Sequence, residues 1–260
     1  MNLLLDIGNT SLRWVVQEGP DLGDSGSVLH GGGVPLDLIV AWESLAAPRR
    51  VLLSNVGGAA VGAAVVRVVR ALWGVEPEPV AVRASCLGLR IAYEDPSRLG
   101  VDRWLALLAA RAHWDGPALI VDAGTAVTYD LLLDGGRHLG GLILPGIELM
   151  RRALLQGTGL GSMGLNPVPP INGSEPWATD TGTAVAAGGI QALGALSDRL
   201  YDRLVEGCGQ PSASRAAGAT PRLLLTGGDA EHLAPAIGRP FEVVPDLVLR
   251  GLGRLAEALV

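Results

Sequence analysis

Asp6-Ile7-Gly8-Asn9-Thr10 and Asp122-Ala123-Gly124-Thr125-Ala126 are two versions of one phrase. Each follows a short apolar run, Asn2 to Ile7 and Ala118 to Val121, and each precedes a second run, Ser11 to Gln17 and Val127 to Leu133. An apolar run broken by a polar, glycine-bearing turn reads as a buried strand entering a tight reversal. Two copies of strand, acidic turn and strand predict a duplicated α/β unit whose two loops face one cleft. The boundary falls between Trp114 and Ala118, giving halves of 1–116 and 117–260.

Working outward, Pro35 to Ala46 reads as a helix opened by Pro, and Val51 to Ser54 as a strand. Ala59 to Trp73 puts Val61, Val65, Val68, Val69 and Leu72 on one helical face. Val80 to Val82 and Leu89 to Ala92 are short strand candidates, and Ser97 to Trp114 is a helix. In the second half, Asp134-Gly135-Gly136 marks a hairpin turn and His138 to Leu144 its return strand. A helix follows from Pro145 to about Gln156, then a long one from Ala178 to Val205. Arg222 to Thr226 is a buried strand ending at Gly227-Gly228, Phe241 to Val244 a further strand, and Asp246 to Leu259 a closing helix. Thr158 to Trp177 and Gly207 to Pro221 read as irregular, the second with a composition that suits disorder.

The chain has 260 residues, 37 of them Gly, and is 48% apolar against 18% charged. That balance supports a substantial core and excludes a disordered chain. All 20 basic residues are Arg. Without a Lys, Schiff-base chemistry, a Walker-type phosphate loop and a protein-kinase site are excluded. The net charge of −6 argues against a general binder of nucleic acid or of anionic membranes. Cys86 and Cys208 stand alone, without CxxC spacing, which suits a reducing compartment. The first residues do not resemble a signal peptide, and the longest apolar stretch, Ala59 to Val66, is far too short to span a membrane. The expectation is a soluble cytoplasmic protein.

Glycine turns let backbone N–H groups approach an anion, a Thr hydroxyl adds a donor, and a strand-end Asp offers oxygen to a hard cation. A single such turn is an ordinary hairpin; two in matching strand contexts point to phosphate binding. Leu223-Leu224-Leu225-Thr226-Gly227-Gly228-Asp229 suits the floor of a nucleoside site, or an ordinary loop. Tyr93 through Trp104 lies at a helix start, where anions are favoured and Arg103 adds a forked donor. Asp102 can accept a hydroxyl proton there; the alternative is an ion pair with Arg98, four residues back on one helical face. His30, His113, His138 and His232 are dispersed without metal-ligand spacing, and no Ser sits in a nucleophile elbow. The six Trp residues read as core or interface.

These motifs together resemble type III pantothenate kinase, the Bvg accessory factor-like family. The likeness rests on Asp6-Ile-Gly-Asn-Thr-Ser-Leu-Arg13-Trp, Tyr93 through Arg103, Asp122-Ala-Gly-Thr125-Ala-Val-Thr, Gly140 to Gly146, Asp180-Thr181-Gly-Thr-Ala and Thr226-Gly-Gly. They occur in the family's order along nearly the whole chain. The resemblance implies an α/β fold of two ribonuclease-H-like halves, of the acetate and sugar kinase/Hsp70/actin superfamily, with a nucleotide cleft between them. It implies a homodimer that phosphorylates pantothenate with ATP and Mg²⁺, the first step of coenzyme A synthesis, without nucleic-acid or membrane partners.

By the same resemblance, Asp6, Ile7, Gly8, Asn9, Thr10, Ser11, Leu12 and Arg13 form the first phosphate loop, with Asp6 near Mg²⁺ through the phosphates. Thr125 contacts ATP, and Asp122 holds a monovalent cation, K⁺ or NH₄⁺. Tyr93, Gly100, Val101, Asp102, Arg103 and Thr181 bind pantothenate, Thr181 from across the dimer, and Asp102 is the proton acceptor. Arg13 stands where the family usually has Lys; it keeps the charge but is bulkier and forked. Two alternatives stand beside this reading. One is a nucleotide-holding regulatory dimer without catalysis, the other a superfamily kinase for another small hydroxylated substrate.

Overall fold

The computed structural model describes residues 1–160, 177–207 and 220–258. The chain divides into two compact units, one of Met1–His113 joined by the segment from Asp246 onward, the other Trp114–Pro245.

In the first unit, β1 (Asn2–Ile7), β2 (Ser11–Glu18) and β3 (Asp21–Leu29) form an antiparallel meander. β4 (Arg50–Asn55) then runs parallel to β1, and the short β5 (Glu78–Pro79) parallel to β4, giving the order β3-β2-β1-β4-β5. Helices α1 (Leu36–Glu43) and α2 (Ala59–Trp73) supply Leu38, Trp42, Val61, Val65 and Val69. These pack against Leu3, Leu5, Ile7, Leu12, Val51 and Leu53 on one face of the sheet. The opposite face receives α3 (Val101–His113) and α7 (Leu247–Ala258), between which lies the sheet's second apolar layer. A Cβ at Gly251 of α7 would collide with the Leu105 carbonyl of α3, so glycine lets these helices touch backbone to backbone. With both faces covered, β1 is a continuous apolar run rather than an alternating one. The meander's outer strand was not expected from sequence: β3 is polar, glycine-rich and largely exposed. Its Gly26 lies under the Trp14 ring, where a side chain would collide.

The second unit repeats this plan. β8 (Ala118–Ala123), β9 (Ala126–Leu132) and β10 (His138–Pro145) form the meander; β11 (Arg222–Thr226) is parallel to β8 and β12 (Glu242–Val243) parallel to β11. The order is β10-β9-β8-β11-β12. Both sheets thus have ribonuclease-H-like topology. α4 (Ile147–Gly157), α5 (Thr181–Val205) and α6 (Ala230–Leu233) accompany it. Ile190 and Leu193 of α5 pack on Val121, Val127 and Tyr129. The Tyr129 hydroxyl donates to Leu193 O at 2.9 Å, and burial pushes its phenol up to about 12.

Four expectations change, the first being the strand candidate at Val80–Val82, which is not a strand; β5 lies just before it at Glu78–Pro79. The half set at 117–260 loses its closing helix: α7 packs on α3, β1 and β2 in the first unit. The helix placed at Ser97–Trp114 starts at Val101, because Pro96–Arg98 is a separate 3-10 turn and Leu99 is extended. Arg98 and Asp102 therefore do not share an α-helical face. A two-stranded ribbon, β6 (Ser85–Cys86) with β7 (Leu89–Arg90), replaces the longer Leu89 to Ala92 strand. Most of the two stretches read as irregular, residues 161–176 and 208–219, lies outside the described residues. Among the described residues no helix is long and apolar enough to cross a membrane.

Candidate active site

β1 ends by placing Asp6 beside two polar neighbours. In the ladder Asp6 is paired with Arg13 on β2 and with Ser54 on β4. Register partners share a face, so the three side chains stand in a row. The fully buried Ser54 donates its hydroxyl to Asp6 Oδ1 at 2.8 Å. Arg13 Nη1 lies 3.5 Å from Asp246 Oδ1, just ahead of α7. Asp246 has a φ of 57°, a left-handed value uncommon for a non-glycine residue.

The turn between β1 and β2 is closed by Gly8 N–H donating to Ser11 O at 2.9 Å, with Asn9 and Thr10 exposed at its tip. Its back is fixed from β4, whose following residues Val56 and Gly57 both donate N–H to Ile7 O. Gly57 has no alternative there, since a Cβ would run into the Gly8 carbonyl. His30 completes the support, with Nε2 2.9 Å from Gly8 O and its own N–H on Thr10 O at 3.1 Å. Sequence reading missed Ser54, Gly57 and His30. Ser54 alone left a signal, as the polar end of an otherwise apolar strand.

The second turn is built alike with one residue fewer. Gly124 N–H donates to Ala126 O at 3.1 Å, and Gly146 N–H to Thr125 O at 2.9 Å. Gly146 opens α4 directly against the turn; a side chain on it would meet the Gly124 carbonyl. Asp122 is paired with Thr226 on β11, as Asp6 is with Ser54. Gly227 follows with φ +95°, and a Cβ there would lie 2.5 Å from Asp122 Oδ1 and collide with the Ala123 carbonyl. Glycine thus lets the loop after β11 close tightly against one carboxylate oxygen and one carbonyl oxygen. Asp229, donating its N–H to Ala123 O at 2.9 Å, has its carboxyl raised above the usual range. Burial is the main cause; His232 opposes it and Glu148 adds to it.

The third group is local to α3. Gly100 precedes the helix, and a Cβ on it would come within 2.5 Å of Asp102 Oδ1, which also accepts the Arg103 N–H at 2.8 Å. Arg103 is only 6% exposed. Its guanidinium lies 5.9 Å from the Tyr93 ring centroid, and Nη1 donates to Tyr93 Oη at 3.1 Å. A buried guanidinium leaning on an aromatic ring is fixed in direction, and its planar fork is a group that binds anions well. Asp95 caps the preceding 3-10 turn through Ser97, which holds its carboxyl below the usual range. Thr181 is the exposed first residue of α5, behind the capping Asp180.

The structure therefore brings Asp6, Arg13 and Ser54 together, and separately Tyr93, Asp102 and Arg103, within the first unit. In the second unit it gathers Asp122, Thr125 and the Gly227 loop, while Thr181 stands on α5. Among the described residues no three His, Cys, Asp or Glu side chains form a self-sufficient metal site. Asp6 is a donor of the kind Mg²⁺ takes, since that ion is commonly held by one or two carboxylates together with substrate phosphates and water. Asp122, at the end of β8, likewise offers the carboxylate oxygen that a hard cation takes.

Each of the two ribonuclease-H-like sheets ends its first strand in an acidic glycine turn. The sequence pattern of type III pantothenate kinase matches residues 2–203, and the chain belongs to that family. The type III pantothenate kinase of Nitrosococcus oceani is 36% identical over 264 residues, covering 99% of this chain and 94% of its own. That of Acidovorax ebreus is 37% identical, covering 98% and 95%. Among solved structures, a Baf family protein of Campylobacter jejuni aligns over 99% of this chain and 98% of its own, with a TM-score of 0.56 and 20% identity. A Sinorhizobium meliloti protein, described as a 2-dehydro-3-deoxygalactonokinase, aligns over 100% and 99% with a TM-score of 0.58 and 15% identity. At such identities the likeness concerns the fold.

Proposed function

We infer that this chain is an ATP-dependent pantothenate kinase, making 4'-phosphopantothenate at the entry to coenzyme A synthesis. The observation that carries this is the family match over residues 2–203, which takes in both acidic turns and the Tyr93–Arg103 segment.

In the reaction the primary hydroxyl of pantothenate attacks the γ-phosphorus in line. The bond from that phosphorus to the β–γ bridging oxygen breaks, ADP leaves and the hydroxyl proton passes to a base. Asp102 is the base in our reading. Supporting it are the carboxylate's place in the first turn of α3 and the glycine at 100 that makes room for it. A carboxylate is a weak base, but a loose phosphoryl-transfer transition state asks little proton removal early. Positioning and charge neutralisation then supply most of the acceleration.

Arg103, held by Tyr93, would pair with the pantothenate carboxylate or with the transferred phosphate. Asp6 through Arg13 would form the phosphate loop and Thr125 a further ATP contact. Mg²⁺ bound with ATP draws charge from the phosphate oxygens, and Asp6 is the carboxylate suited to hold it. Asp122 would hold K⁺ or NH₄⁺, a reading supported by its carboxylate at the acidic turn that ends β8. A homodimer, with Thr181 reaching the partner's pantothenate, is supported by exposed apolar residues on the edge strand β10 and on α4. Leu142, Ile143, Leu149 and Leu154 are 43–63% exposed.

A coupled assay of ADP release, with and without pantothenate and in K⁺ or Na⁺ salts, tests the whole reading. ADP release that requires pantothenate and rises with K⁺ is expected; release indifferent to pantothenate would overturn it.

A further inference from the structure

We propose that His30 is a positioning residue of the first phosphate turn, setting the direction in which that turn offers its N–H groups to the nucleotide. The inference rests on reading Asp6–Arg13 as the ATP phosphate loop.

His30 follows β3 and is 7% exposed. Its Nδ1 accepts the Gly32 N–H at 3.1 Å, which puts the ring proton on Nε2 and makes Nε2–H the donor to Gly8 O at 2.9 Å. Gly31 at φ +53° and Gly32 at φ +92° take left-handed values that curl the chain back beneath the ring. Together with the His30 main-chain bond to Thr10 O, this engages the turn from one side.

Ile7 O is already taken by Val56 and Gly57, and Ser11 O by Gly8. Four carbonyl oxygens, of Ile7, Gly8, Thr10 and Ser11, are thus bonded into the fold. In a trans peptide the C=O and the next N–H point oppositely. Holding Gly8 O on His30 therefore turns the Asn9 N–H away from the histidine. An anion cradle requires consecutive N–H groups aimed outward in this way. At the second turn Gly146 N–H reaches Thr125 O in the place of the His30 main-chain bond, and glycine itself has no side chain to reach Gly124.

The test compares His30→Ala, His30→Gln and His30→Asn in the full-length protein. The Gln side-chain amide nitrogen extends about as far as Nε2, whereas that of Asn stops short. His30→Ala is expected to raise the KM for ATP about tenfold while the KM for pantothenate stays within about twofold. His30→Gln is expected to recover most of the loss and His30→Asn little of it. ATP·Mg²⁺ binding measured by calorimetry should rank the variants in the same order. An unchanged KM for ATP in His30→Ala, or Gln and Asn variants that behave alike, would overturn the proposal. If His30→Ala fails to fold, the Gln against Asn comparison still decides. Wild-type protein that binds ATP but does not phosphorylate pantothenate would fail the functional reading and leave the His30 ranking intact.

Discussion

Ser54 Oγ donates to Asp6 Oδ1 at 2.8 Å, linking β4 to the carboxylate that ends β1. The donor is fully buried and the acceptor half-buried. Hydrogen bonds to charged groups contribute about 1.5–3 kcal/mol. Ser54→Ala should therefore lower stability by about 1–2 kcal/mol in denaturant titration and raise the KM for ATP. Full stability with unchanged ATP affinity would show that Asp6 is held by its other contacts.

Asp102→Asn keeps the shape of the side chain and removes its capacity to take a proton. ATP binding should persist while turnover falls by about 10²–10⁴-fold, the range typical of a lost general base. Gly100→Ala should produce a smaller fall in kcat, because the added Cβ displaces the Asp102 carboxylate. Near-normal turnover of Asp102→Asn would remove that residue from the chemistry.

For Arg103 the informative change is to Lys, which keeps the charge but loses the planar fork that reaches Tyr93. A raised KM for pantothenate with kcat nearly unchanged would assign it to the substrate carboxylate. A fall confined to kcat would assign it to the moving phosphate. Tyr93→Phe should move the same parameter by less, since the ring remains under the guanidinium.

Gly227→Ala forces a left-handed backbone onto a residue with a Cβ and drives that carbon toward Asp122. Strain of this kind costs about 1–3 kcal/mol. Beyond the lower melting temperature, the gain in activity from Na⁺ to K⁺ should shrink or vanish. A variant equally activated by K⁺ would place the monovalent cation elsewhere.

Asp229 supplies a pH test. Burial raises its folded-state pKa, so the folded protein binds this proton more tightly than the unfolded chain does. Its ionisation therefore costs stability as pH rises from about 4, the unfolded value, through the raised folded one. Asp229→Asn should melt higher than wild type at pH 7 and equal to it below pH 4. A lower melting point at pH 7 would contradict the sign.

The duplicated turns were legible because an Asp and a Gly interrupt an apolar run in the same way twice. The Tyr93–Arg103 segment was legible as a unit, but Pro96 marks the start of a 3-10 turn, and Gly100 lets the true helix begin at Val101. β3 left no trace: its residue against Trp14 is Gly26, and the Asp, Gly and Ser around it supply no apolar alternation. The supports of the first turn were hidden for another reason. His30 and Gly57 act through main-chain atoms of residues far away in sequence, and no local pattern encodes such contacts. Nor does an apolar closing helix reveal which sheet it covers; Gly251 against Leu105 settles that only in three dimensions.

That last helix has a consequence for biosynthesis. The layer that shields Leu4 and Gln17 on β1 and β2 includes Gly253, made only after the whole Trp114–Pro245 unit. While the ribosome is still working, the amino-terminal sheet has only part of its cover, whereas every strand of the Trp114–Pro245 unit has already been made. The portion synthesised first is thus covered only after the unit that follows it, and a nascent chain stalled before Leu247 would present an uncovered apolar surface to chaperones.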